Sequence, residues 1–147
     1  MYYHKGLLMS SYYTKEYLQH VKVHLQRIVK ENGWLTHGVK YARVRHLLGD
    51  PRGEVISTYQ RALEAVKAEG CCYDQITALE SFGRYYDISK EYSNALTYYV
   101  RAVNLSREKE CRAWNAENGI RLISKYNPQC WAAYNRGKYQ HFNRRHF

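Results

Sequence analysis

Few side chains in this sequence stand at spacings that chemistry uses. His20 and His24 are four residues apart, which on a helix places two imidazoles on one face, the spacing of a metal-binding pair. No third ligand accompanies them, so no metal site and no cofactor are expected. Cys71 and Cys72 are adjacent, while Cys111 and Cys130 stand alone. There is no CxxC and no Cys/His cluster at zinc spacing, and neighbouring side chains on a helix diverge, so the cysteines read as buried or half-buried thiols. Arg136 and His141 put a fixed cation and a proton carrier on one segment. Gly49-Asp50-Pro51-Arg52-Gly53 has neither the Lys-Ser/Thr ending nor the glycine count of a phosphate cradle and reads as a turn.

The charge balance is lopsided: 23 Lys and Arg face 13 Asp and Glu, for a net charge of +10. Such an excess favours acidic partners, whether nucleic acid, an anionic membrane or an acidic protein surface. It also serves simply to keep a tyrosine-rich surface in solution. Two concentrations stand out. One is Lys40, Arg43, Arg45 and His46, leading to Arg52; the other is Arg136, Lys138, Arg144 and Arg145. Tyr139 and Phe142 are interleaved in the second, a stacking-plus-charge pattern that suits RNA. A solubilising polar end on a last helix is the other reading of that tail.

These residues need a scaffold, and the sequence specifies a helical one. A length of 147 residues allows one domain with its own core, and 15% aromatic residues exclude ordinary disorder. No stretch approaches the roughly 18 apolar residues of a membrane span. The opening nine residues are too polar for a secretory signal, so a reducing intracellular compartment, the cytoplasm, is the expectation. Val, Ile and Thr form no period-two runs. The breaks fall at Asn32-Gly33, Gly49 to Gly53, Glu69-Gly70, Ser89-Lys90, near Ser106 and at Asn127-Pro128. They delimit about seven helices, starting near Tyr12, Trp34, Gly53, Tyr73, Tyr92, Glu108 and Pro128. In each Tyr doublet, such as Tyr85-Tyr86, one ring is expected to face the core and the other a surface.

A repeat runs through these helices. Small residue, Tyr, small residue recurs as Val55-Tyr59-Ala62, Ala95-Tyr99-Ala102 and Cys130-Tyr134-Gly137. Gly-x-x-Tyr precedes the first two copies, at Gly38-Tyr41 and Gly83-Tyr86. Gly lets a neighbouring helix approach, and each hairpin leaves an apolar face that the next must cover. Leu79, Phe82, Gly83, Tyr86, Ala95, Tyr99 and Ala102 fall on the offsets of a tetratricopeptide repeat, and the unit from Trp34 resembles it through Gly38, Tyr41, Tyr59 and Ala62. The first unit carries about five extra residues near Pro51, which predicts a long turn. The third is degenerate, with Asn118 where Gly is expected. The resemblance implies an all-α chain of antiparallel hairpins stacked as a short solenoid. Residues 1–31 would form a capping helix, 32–140 the repeats and 141–147 a basic tail, all in one domain spanning 1–147.

The resemblance to tetratricopeptide proteins implies a non-enzymatic adaptor for protein–protein interaction within an assembly. Groove-facing candidates by repeat alignment are Glu80, Arg84, Asp87, Arg112 and Asn115. Leu35 and Val39 occupy the places where the family's chaperone-tail clamp needs Lys and Asn. The segment around Phe82 to Tyr99 loosely resembles the interferon-induced tetratricopeptide proteins, which bind RNA through a basic channel. RNA binding is thus the alternative, with Lys40, Arg43, Arg45, Arg136, Lys138, Arg144 and Arg145 as its candidate contacts. Arg136-x4-His141 resembles the motif of HEPN ribonucleases, in which Arg and His flank a scissile RNA phosphate; this is the third reading.

Overall fold

The structure is a computed structural model that describes residues 13–146, with side chains described for 13–137. Among the described residues it is all-helical, with seven α-helices and no strand. Two compact units emerge, Met1–Cys71 and Cys72–Phe147. No described helix is long and apolar enough to cross a membrane.

The first unit holds α1 (Lys15–Ile28), α2 (Trp34–Leu47) and α3 (Arg52–Glu69). Helix α1 starts where Thr14 Oγ1 accepts the Tyr17 N–H at 3.0 Å, satisfying one of the helix's orphan donors. Its apolar face, Leu18, Val21 and Leu25, follows three- and four-residue steps. The chain passes into α2 through a π-turn over Val29–Gly33, where Asn32 adopts φ 91°. A Cβ at Gly33 would lie 2.7 Å from the Ile28 carbonyl oxygen, so this bend requires glycine. Leu25, Val29 and Tyr41 form the local core, with Val21, Trp34 and Val44 packed on it.

The turn between α2 and α3 is short, residues 48–51, although the sequence predicts a long one. Helix α3 starts at Arg52, one residue before the predicted Gly53, and backbone bonds close the turn. Leu48 donates to Val44 O, Gly49 to His46 O and Asp50 to Arg45 O, each at 3.0 Å. Gly49, at φ 74°, supplies the left-handed residue. Helices α2 and α3 touch closely: a Cβ at Gly38 would lie 2.8 Å from Ala62 Cβ.

The second unit holds α4 (Cys72–Ile88), α5 (Tyr92–Lys109), α6 (Trp114–Tyr126) and α7 (Pro128–His146), each packed on the next. Tyr99 on α5 is 1% exposed, and its ring would collide with a Cβ placed at Gly83 on α4 or at Gly119 on α6. Gly119, one residue after Asn118, thus meets the helix that precedes it, whereas Gly38 and Gly83 meet the helix that follows. Phe82, Tyr86 and Tyr98 form a ring cluster, with Phe82 and Tyr98 centroids 4.2 Å apart. Tyr134 on α7 is half-buried and hydrogen-bonds to the Thr97 side chain; burial pushes its phenol up against the pull of that bond.

Three local readings need correction. Tyr85 and Tyr86 are both buried, because α4 is covered nearly all round: Ile76, Ala78, Leu79, Ser81 and Phe82 are buried too. Helix α6 begins at Trp114 rather than near Glu108, since α5 continues to Lys109 and ends with Glu110 at φ 59°. Cys72 and Cys111 are joined by a disulfide, with Cα atoms 6.7 Å apart. The hairpin of α4 and α5 brings the second cysteine back beside the first, which spacing along the chain does not reveal. Cys71, exposed, and Cys130, half-buried, lie outside the disulfide.

Candidate functional site

In the first unit, the π-turn leaves a cleft of about 570 Å³ among α1, α2 and α3. Val29, Trp34 and Tyr41 give it an apolar floor. The Trp34 and Tyr41 rings meet edge to face with centroids 6.1 Å apart. Gln26, Lys30, Asn32, Ser57, Thr58 and Arg61 line the remainder together with Arg45. The Arg61 guanidinium lies 5.7 Å from the centre of the Trp34 ring.

The three cations of the cleft differ in what holds them. Arg45 is committed: its Nε donates to Asp50 Oδ2 at 2.9 Å, its Nη2 to Glu54 Oε2 at 2.5 Å and its Nη1 to Thr58 Oγ1 at 3.2 Å. Lys22 from α1 reaches the same Asp50 oxygen at 2.8 Å. Desolvation pushes the Asp50 carboxyl up, but the hydrogen bonds and charges of Lys22 and Arg45 outweigh it and hold it below its ordinary value. Lys30 and Arg61 are exposed, and among the described residues neither has an ion-pair partner. No carboxylate side chain lines the cleft.

In the second unit, the predicted groove residues separate. Glu80 is 7% exposed, and its Oε2 accepts the Ala116 N–H at 2.8 Å. The Asn115 backbone and side chain bond to it as well. Burial pushes the Glu80 carboxyl up, against those hydrogen bonds, so an acid from α4 caps α6 rather than facing an open surface. Asp87 accepts the Tyr99 hydroxyl at 3.0 Å. Arg84 is half-buried. Arg112 is exposed and stacks over Trp114 at 4.0 Å, and Trp114 itself is 66% exposed.

Of the predicted nucleic-acid contacts, Lys40 and Arg43 are exposed on α2 and Arg136 on α7, while Arg45 is locked in its carboxylate network. The side chains of Lys138, Arg144 and Arg145, and of His141, lie outside the described residues. The structure does not bring Lys40 or Arg43 into the cleft lining. His20 and His24 are both exposed on α1, and the His24 ring lies 3.5 Å from Arg27 Nη2. Lys30 and Arg61 escaped sequence reasoning because they are lone cations on separate elements. The one signal for them was the Asn32-Gly33 break, which sets the bend between α1 and α2.

No protein-family model matches the chain, and searches of curated proteins and of solved structures return no match.

Proposed function

We propose that the protein is a non-enzymatic adaptor, built of tetratricopeptide-like helical hairpins, that joins a protein partner within an assembly. The observation that carries this reading is the recurrent close approach of a first-helix glycine to the small-and-aromatic stripe of the second helix. Gly38 meets Ala62 in one unit and Gly83 meets Tyr99 in the other. Both pairs lie on the repeat pattern, and such hairpins expose a helix face suited to protein ligands. The test is crosslinking of the tagged full chain in cells, mild lysis and purification. A stoichiometric crosslinked protein with little absorbance at 260 nm is expected; a stoichiometric nucleic acid in its place overturns the reading.

RNA binding is the second reading, favoured by exposed cation–aromatic pairs at the two ends of α6. Arg112 stacks over Trp114 at 4.0 Å and Lys125 lies over Tyr126 at 5.2 Å. Under that reading affinity falls steeply with salt as counterions are released. The Arg136 and His141 pair is assigned no cleavage. Ribonuclease activity that both Arg136→Ala and His141→Ala abolish without unfolding would establish the third reading instead.

A further inference from the structure

We infer that the cleft of the first unit is a receptor for an acidic peptide segment, one whose carboxylate side chain sits between Lys30 and Arg61. This rests on the adaptor reading and names the chemistry of its partner. The inference follows from how the cations are held. Arg45 is neutralised by Asp50 and Glu54, so its charge is spent on the scaffold. Lys30 and Arg61 carry charge with no carboxylate partner among the described residues. The Arg61 guanidinium is placed over the Trp34 face, which leaves its N–H edges to grip a carboxylate in bidentate fashion. Asn32 and Ser57, both exposed, add neutral hydrogen-bonding groups at the rim.

The floor argues for a peptide rather than a polynucleotide. Arg61 lies over the Trp34 ring and Tyr41 is buried, so the cleft holds no open ring face on which a base could stack. A phosphate chain needs a continuous run of free cations, but of the three that line the cleft one is already paired. At about 570 Å³ the cleft has the size of a small-ligand pocket, enough for a short stretch of side chains.

The experiment uses the full chain and two labelled probes, a peptide of alternating glutamate and leucine and a single-stranded oligouridylate, read by fluorescence anisotropy. A peptide with glutamine in place of glutamate is the control. Lys30→Gln and Arg61→Gln remove the charges and keep most of each stem, and circular dichroism checks their fold. The glutamate peptide is expected to bind the parent chain, to lose roughly fivefold to tenfold in affinity with each substitution, and to lose little with Lys40→Gln. The glutamine peptide is expected to bind far more weakly. Equal binding of the glutamate peptide to the double variant overturns the cleft assignment and leaves the adaptor reading standing. Oligouridylate binding that the double variant abolishes, with no peptide binding, overturns both. Failure of both probes to bind the parent chain overturns the cleft assignment alone, because the crosslinking test of the adaptor reading does not depend on it.

Discussion

The carboxylate of Glu80 caps the helix that begins at Trp114 by accepting the N–H of Ala116, a residue 36 positions further along the chain. A local N-cap fixes only where a helix starts. This one also fixes where α6 sits on α4, since a buried N–H without an acceptor costs about 1–3 kcal/mol.

Glu80→Ala should therefore destabilise by about 1–3 kcal/mol in denaturant titrations, whereas Glu80→Gln should be tolerated at neutral pH. Burial raises the Glu80 carboxyl in the folded chain. Its contribution is then fully present below the unfolded value of about 4.3 and is lost as pH rises through the folded value. Relative to Glu80→Gln, the parent chain should lose stability across that window. A difference between the two that stays constant with pH would contradict the raised carboxyl.

Asp50 has the opposite sign. Lys22 and Arg45 hold its carboxyl low in the folded state. Its stabilising share is present above about 3.9 and is lost as pH falls through the folded value. Asp50→Asn should flatten acid unfolding in that range. Arg45→Met should cost about 1–3 kcal/mol at neutral pH by leaving the half-buried Asp50 with Lys22 alone, measured by thermal melting.

Glycines 83 and 119 should tolerate no enlargement. Gly83→Leu should destabilise by about 1–3 kcal/mol through overpacking against Tyr99, and Gly119→Leu by a similar amount. Gly137→Ala is the control, because a Cβ there meets nothing within 4 Å. It should be neutral or stabilise by up to about 1 kcal/mol through helix propensity. Unchanged melting of Gly83→Leu would remove the glycine from the helix crossing.

The Cys72–Cys111 bond closes a loop with a sequence separation of 39. Cys111→Ser should lower the stability of the oxidised chain by about 2–4 kcal/mol and leave the reduced chain nearly unchanged, as judged by denaturation with and without dithiothreitol. Equal stability of parent and variant under oxidising conditions would contradict the cross-link.

Helix boundaries were legible wherever Gly, Asn or Pro marks them. Asn32-Gly33, Gly49 and Asn127-Pro128 all mark real ends. The start of α6 was hidden because its break rests on Glu110 in the left-handed region, a residue type that gives no local warning. Burial of Gly83 and Tyr99 was legible from the repeat, since those positions carry the helix crossing. The cap by Glu80 and the cleft between Lys30 and Arg61 depend on residues far apart in sequence, and a single chain offers no pattern that pairs them. Arg45 illustrates the same limit from the other side: its basic neighbours suggest a ligand, while the carboxylates that claim it follow in the next turn and helix.

One aromatic ring touching two glycines on two other helices also constrains how this sequence can change over time. Positions 83, 99 and 119 form a single volume shared among α4, α5 and α6. A larger residue at either glycine becomes acceptable only after position 99 has shrunk, and a smaller residue at 99 leaves a void until one of the glycines grows. Each intermediate is less fit to fold than either end. The three sites therefore make an epistatic set, expected to differ together or not at all between the chain and any descendant that keeps this packing.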